Sequence, residues 1–384
     1  MDMPSQSHAT QQPGGEPLAS HEVRLSAWQW VVVAAAAAAG LALAPYLWQR
    51  VEPLSAGDDY RIPYELSEDY WLYGRLVRQA ATEGKTLVIG DSVVWGQYVS
   101  PTQTLTHHLN GQAGKARFAN LGVNGTHPLA LAGLIEYYGQ AAAGRRVLLH
   151  CNPLWLASDD RDLRSAKPVS FNHPRLVPQF APRIPSYKAG AEDRLKVVFA
   201  RPLPYDAWAR HLRLAYFNNV DIPAWTVENP DRNPIAAITL KLPQPPDRPR
   251  YKPVPWRGAG LDQADLPWVD LSASLQWSAF KRSVEILTSR GSQVFVCLGP
   301  LNEHMLTEPS RARYRRIREG MESWLRANHV PYFAPPALPS DLYADASHPV
   351  NAGYALLAGM LLENASFAEF CRMDTLAGEG AARP

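Results

Sequence analysis

The stretch that decides the fold is Thr86-Leu87-Val88-Ile89-Gly90-Asp91-Ser92-Val93. Thr86 to Ile89 is a short run with no alternation of polar and apolar positions. Such a run reads as a strand covered on both faces, as in a parallel sheet. Gly90-Asp91 ends it, and Ser92 opens the next, helical segment. Ligands of open α/β sheets bind beyond the carboxyl ends of the strands. Ser92 therefore stands at the mouth of the sheet, where a helix N-terminus and its own backbone N–H favour an anion. A Gly-Asp-Ser turn by itself reads equally well as a helix cap.

Outward from this point the pattern repeats. The spacing predicts a helix over 64–81 before the strand, with Pro63 suited to a first-turn position. After it come a helix over 104–110, a strand over 116–121, a helix over 129–138 and a strand over 146–151. The alternation stops from about Asp159 to Asp270, where about half of the chain's 34 prolines fall. Residues 243–255 are too proline-rich for a central strand or a helix. We read this stretch as an insertion or lid. The alternation resumes with a helix over 271–290, a strand over 293–298, a helix over 311–327, a short strand over 331–334 and a closing helix over 352–362. Strands alternating with helices define an α/β fold built on a parallel sheet.

The N-terminal region is different in kind. From Ala27 to Leu47 the only strongly polar residue is Gln29, and Trp28, Trp30, Tyr46 and Trp48 sit near the two ends. That is long enough to cross a bilayer core of about 30 Å, with aromatic residues at the interfaces. A cleaved signal peptide is the rival reading, because Ala42-Leu43-Ala44 resembles a cleavage site. Pro45 directly after it and the length of the run favour an uncleaved anchor. Arg24 before the span and Arg50 and Arg61 after it specify orientation weakly. We divide the chain into a flexible tail (1–24), a transmembrane signal anchor (25–48), a linker and helix (49–84), the first half of the core (85–158), the Pro-rich insertion (159–270), the second half of the core (271–366) and a C-terminal tail (367–384).

Composition narrows the function. Of the 384 residues 46% are apolar and 19% charged, and the net charge is +2, so this is a globular chain with no basic stripe for nucleic acid. Its three cysteines cannot build a disulfide framework, and Cys151 and Cys297 lie in apolar runs that read as buried thiols. No His/Cys/Asp cluster has metal-ligand spacing, and no Gly-rich phosphate loop is present, so no metal or cofactor is expected.

Three further segments carry chemistry. Asp345-Ala346-Ser347-His348-Pro349 offers a base and its orienting carboxylate from one turn, and a serine hydroxyl needs such a base at neutral pH. Asn120-Leu121-Gly122-Val123-Asn124-Gly125-Thr126 follows the second strand and presents a glycine backbone N–H. His150-Cys151-Asn152-Pro153 follows the third strand and presents an amide side chain. Both are donors of the kind that hold an oxyanion, although each is also an ordinary turn. His127 either touches substrate or is a loop histidine. Asn302 and His304, after the fourth strand, either line the pocket or start a solvated helix.

The order Ser, Gly, Asn, Asp-x-x-His resembles the SGNH (GDSL-type) hydrolase family. The likeness covers about 85–158 and 271–362. It implies a three-layer α/β/α, flavodoxin-like sheet and a triad of Ser92, His348 and Asp345. It also implies an oxyanion hole of Ser92, Gly125 and Asn152, with Asn124, His127, Asn302 and His304 as substrate-binding candidates. One departure is that the family's Gly-x-Asn-Asp block reads His150-Cys151-Asn152-Pro153 here. The layout is similar to extracytoplasmic members that acylate envelope polymers, such as alginate O-acetyltransferases and the teichoic-acid D-alanylation protein. That likeness implies a single-pass membrane protein with its catalytic domain outside the cytoplasm. It further implies an O-acylated carbohydrate or acyl donor as ligand and a multi-spanning membrane O-acyltransferase as partner. Release of the acyl group to water is the alternative reaction. A non-catalytic glycan-binding protein on the same scaffold is the alternative of another class.

Overall fold

The computed structural model describes residues 25–54, 56–168 and 172–372. The tail expected over 1–24 and the last residues, 373–384, lie outside it. The chain divides into two compact units, 1–44 and 45–384. The first consists of most of helix α1 (Ala27–Val51), which is long and apolar enough to cross a membrane.

The second unit is built on five parallel strands: β1 (Thr86–Gly90), β2 (Phe118–Gly122), β3 (Arg146–Cys151), β4 (Gln293–Leu298) and β5 (Tyr332–Phe333). Their order is β2-β1-β3-β4-β5. Leu87 pairs with Ala119 on one side and Val147 on the other. The order reverses at β1, so the crevice beyond the carboxyl ends of β1 and β3 is the topological switch point.

Side-chain alternation along each strand explains why these runs are apolar throughout. Leu87, Ile89, Val147, Leu149 and Val296 face one core, with Cys151. Val88, Leu148, Phe295 and Cys297 face the other. Helices α2 (Tyr70–Thr82), α5 (Pro128–Tyr138), α10 (Leu275–Ser289) and α11 (Glu308–Ala327) cover the first face. The second is covered by α3 (Ser92–Trp95), α4 (Leu105–Gln112), α12 (Asn351–Glu363) and α13 (Ala365–Arg372). Cys151 and Cys297 are free, buried and on opposite sides of the sheet.

Several expected boundaries shift for local reasons. The helix read over 64–81 splits into a 3₁₀ turn, Tyr64–Leu66, and α2, because the Asp69 side chain accepts from Leu72 N–H at 2.9 Å and caps a new start. Pro63 precedes the turn instead of lying in the first turn of a longer helix. The helix expected from Leu271 begins only after Ser274, whose hydroxyl accepts from Trp277 N–H. The C-terminal tail read over 367–384 starts too early: α13 buries Phe367 and Phe370 against Phe118 and Phe295.

Among its described residues the Pro-rich stretch 159–270 carries no strand of the sheet. It does carry four helices: α6 (Ala191–Ala200), α7 (Pro204–Tyr216), α8 (Ile222–Glu228) and α9 (Pro234–Ala237). Prolines in the first turn start three of them instead of breaking them. Residues 243–255 form neither helix nor strand. Helix α7 packs on α2 through a buried charged cluster. In it His211 lies 2.6 Å from Asp69 and 2.9 Å from Glu52, and Arg75 also pairs with Glu52. Both His211 nitrogens face carboxylates, so both donate. Burial pushes its imidazolium down, but Asp69 and Glu52 outweigh that and hold it up at about 9.

Candidate active site

The turn after β1 places Ser92 as the first residue of α3, where its N–H has no intrahelical acceptor. Asp91 is the cap: its Oδ1 accepts from Val93 N–H at 3.0 Å. The other end of this short helix is held by Arg61, buried in the core. Its Nη1 donates to the Trp95 carbonyl at 2.9 Å and to that of Gly96, and its guanidinium lies 4.2 Å from the Trp95 ring. Tyr354 of α12 donates to the Val93 carbonyl at 2.7 Å. The nucleophile candidate is thus fixed from three directions.

Asp345 and His348 come from one loop between β5 and α12. The carboxylate accepts from the backbone N–H groups of Ser347 and His348, each at 2.9 Å, which folds the loop around it. Nδ1 of His348 lies 2.8 Å from both carboxylate oxygens. A carboxylate can only accept, so Nδ1–H donates and the neutral ring's Nε2 is left as an acceptor. That Nε2 lies 2.8 Å from Ser92 Oγ. Ser92, His348 and Asp345 are therefore one continuous hydrogen-bonded line. Asn302 holds the loop from behind: its Nδ2 donates to the Asp345 carbonyl at 3.1 Å, and its backbone N–H to Ala346 at 2.8 Å.

The electrostatics follow from this packing. Burial raises the Asp345 carboxyl, but His348 and the two backbone N–H groups bring it down to about 2. For His348, burial disfavours the imidazolium. Asp345 and Asp91 outweigh that, with Arg161 opposing, and the ring is held above its ordinary value. Tyr98 packs 5.5 Å from the His348 ring. Its phenol is pushed up to about 12 by burial and by Asp345. On its other side Tyr98 meets Tyr251 of the Pro-rich segment, at 5.6 Å between ring centres.

Asn152 reaches the site through Asp91. Its Nδ2 donates to Asp91 Oδ2 at 2.8 Å and lies 3.3 Å from Ser347 Oγ, while its Oδ1 accepts from Leu154 N–H. Asp91 Oδ2 also accepts from Trp155 Nε1 at 3.0 Å. His150 Nδ1 lies 3.2 Å from Asp91 Oδ1, and its Nε2 donates to the Gly299 carbonyl at 3.0 Å. Burial raises the Asp91 carboxyl, but His150 and Asn152 together hold it well below the usual carboxylate range. The sequence reading treated Asp91 as a turn residue and His150 as a departure from a motif. In the structure Asp91 is the hub that joins the Ser92 helix to the Asn152 loop, and the His150 ring packs beside its carboxylate. The available signals were an acid directly before a helix start and a histidine inside a buried strand.

The remaining candidates separate. Gly125 lies in the turn after β2 with φ of +74°, and its carbonyl faces the Asn172 amide at 3.5 Å. A Cβ there would meet that amide at 2.9 Å. No hydrogen bond joins Gly125 to the Ser92–His348–Asp345 line. The Asn124 carbonyl accepts from His173 Nε2 at 2.9 Å, and its side-chain oxygen is buried without a partner. His127 takes a structural place: its Nδ1 caps α5 by accepting from Ala130 N–H, and its Nε2 faces the Asn172 carbonyl at 3.3 Å. Burial pushes its imidazolium down to about 3, so it is a neutral structural cap. Asn302 supports the acid–base loop instead of lining a pocket. His304 donates to the Leu338 carbonyl at 3.0 Å.

The arrangement can move a proton from a serine hydroxyl to an imidazole whose charged form is stabilised by a carboxylate. No protein-family model matches this chain, and no curated protein matches it.

Proposed function

We propose that this chain is a serine-dependent acyl-transfer enzyme of the SGNH (GDSL-type) class, anchored by α1 with its catalytic unit outside the cytoplasm. The observation that carries the reading is the pair of 2.8 Å contacts joining Ser92 Oγ to His348 and His348 to Asp345. Strand order, a Ser at the end of β1 and an acid–base pair before α12 support the same class.

In this reading Ser92 Oγ attacks the carbonyl carbon of an O-acyl, and by family likeness O-acetyl, ester. Its proton passes to His348 Nε2 as the Oγ–C bond forms. His348 returns that proton to the departing alkoxide as the donor C–O bond breaks. A second hydroxyl, from water or a sugar, then gives its proton to His348 and takes the acyl group, and the proton returns to Ser92 Oγ. The N–H groups of Ser92 and Gly125 serve the developing oxyanion; the Asn152 amide, whose protons go to Asp91 Oδ2 and Ser347 Oγ, joins them by giving up its longer contact to Ser347. An acceptor hydroxyl on an extracytoplasmic glycan follows from the likeness to envelope-polymer acyltransferases, as does a membrane O-acyltransferase partner. Esterase activity is the same chemistry with water as acceptor.

The test is turnover of a chromogenic acetate ester, with labelling of Ser92 by a fluorophosphonate. Ser92→Ala should lower kcat by roughly 10⁴-fold or more and abolish labelling while the fold persists. Equal rates in the two proteins would remove the enzyme reading and leave a non-catalytic glycan-binding protein. Product masses with and without sugar acceptors separate transfer from hydrolysis.

A further inference from the structure

The surface around α6 carries a cluster of exposed apolar side chains. None of the ten residues of α6 is buried. Leu195, Val198 and Phe199 fall on one face at i, i+3 and i+4 and are 45%, 40% and 70% exposed, and Leu203 just beyond is 55% exposed. Glu192, three residues before Leu195 and seven before Phe199, borders this face and pairs with Lys196. Single exposed apolar residues need no explanation, but a cluster of this kind marks a contact surface.

Two cavities connect this face to the end of α1. Val198 and Phe180 border one of about 670 Å³. Leu203 borders the other, of about 510 Å³, together with Pro45, Tyr46 and Gln49. Tyr137 and Arg201 border both. The smaller cavity has aromatic walls, and its charged lining is Arg78 and Arg201 with no carboxylate. Arg201 stacks 4.3 Å from the Tyr137 ring and donates to the Val177 carbonyl at 3.0 Å, but its buried Nε has no partner. Arg78 donates to the Gln49 side chain at 3.3 Å. Two cations without an acid, beside exposed apolar side chains, fit a ligand with one anionic group and long apolar chains.

We propose that this cavity binds the phosphate headgroup of an anionic phospholipid, and that the apolar face of α6 lies in the membrane surface. Arg78 and Arg201 donate to the phosphate, and Leu203 and Phe199 meet the acyl chains. The membrane is the occupant favoured over a soluble anion because the same cavity is walled by Tyr46 and Gln49, the last turns of the apolar helix. The proposal does not depend on the catalytic reading.

The test uses full-length protein in detergent, titrated with dioleoylphosphatidylglycerol, dioleoylphosphatidylcholine or inorganic phosphate and read by native mass spectrometry. Phosphatidylglycerol should bind preferentially. The Arg78→Gln/Arg201→Gln protein should bind it about tenfold more weakly or worse, with unchanged melting. If Arg201→Gln disturbs folding, Arg78→Gln alone carries the comparison. Equal binding of both lipids, undiminished binding by the variants, or full competition by inorganic phosphate would overturn the proposal. In nanodiscs, a fluorophore on Phe199→Cys in a Cys371→Ser background should be quenched by brominated lipid. No quenching, or cross-linking of that position to a second copy instead, overturns the membrane contact.

Discussion

Asp91 accepts the Asn152 side-chain amide at 2.8 Å with one carboxylate oxygen and caps the Ser92 helix with the other. A carboxylate offers acceptors on both sides, and an amide offers one. Asp91→Asn must therefore leave either Val93 N–H or the Asn152 and Trp155 donors facing an NH₂ group. We expect a loss of about 1–3 kcal/mol in stability. Ester turnover should fall by up to about 100-fold, because the Ser92 helix and the Asn152 loop lose their common anchor. Denaturant melts and acetate-ester kinetics on the same preparation check this, and unchanged kinetics would remove Asp91 from the site.

Asp345→Asn keeps the shape of the acid–base loop but can fix the imidazole in the wrong tautomer, with Nε2 protonated toward Ser92. kcat should drop about 10⁴-fold with little change in melting temperature. A drop of only a few fold would show that Asp345 orients nothing the reaction uses.

In the proposed mechanism His348 must be neutral to accept the Ser92 proton, so activity should fall as pH falls through the His348 pKa. Asp345 and Asp91 outweigh burial and raise that pKa. The acid limb of kcat/KM should therefore lie above the ordinary histidine value of about 6.5. In Asp345→Asn the limb should move down, and the residual activity of that variant is measurable for this purpose.

Stability should carry a separate pH signature from His211. The unfolded histidine loses its proton near about 6.5, and the folded one keeps it to about 9 because Asp69 and Glu52 flank it. Between those values the unfolded state binds fewer protons, so folding free energy declines as pH rises through the window. His211→Ala leaves Glu52 with Arg75 and the Tyr216 hydroxyl, and Asp69 with only the Leu72 N–H among the described residues, and should cost about 3–5 kcal/mol. Melting curves from pH 6 to 10 on both proteins read this, and the variant should lose the slope across that window.

The sheet was legible because β1, β3 and β4 are buried on both faces, which leaves unbroken apolar runs between Gly, Asp and Pro breaks. The Ser92, His348 and Asp345 candidates were legible because an acid and a base three residues apart fit one loop. The hub role of Asp91 was not, because an acid before a helix start looks the same whether it faces water or three buried donors. His127 was ambiguous because its partner, the Asn172 carbonyl, lies 45 residues away in the insertion. Helix α6 was missed because Leu195, Val198 and Phe199 are too few at helical spacing to stand out in a proline-rich stretch, and none of the helix packs into the core. The prolines around α7 to α9 read as breakers, but they sit where a helix has no N–H to give.

Ser92 and His348 are separated by 256 residues. All five strands are complete by Phe333, before either Asp345 or His348 has been synthesised. A chain cut between Phe333 and Asp345 therefore keeps every strand of the described sheet and loses both partners of the Ser92 hydroxyl. Under the proposed mechanism such a product is chemically silent.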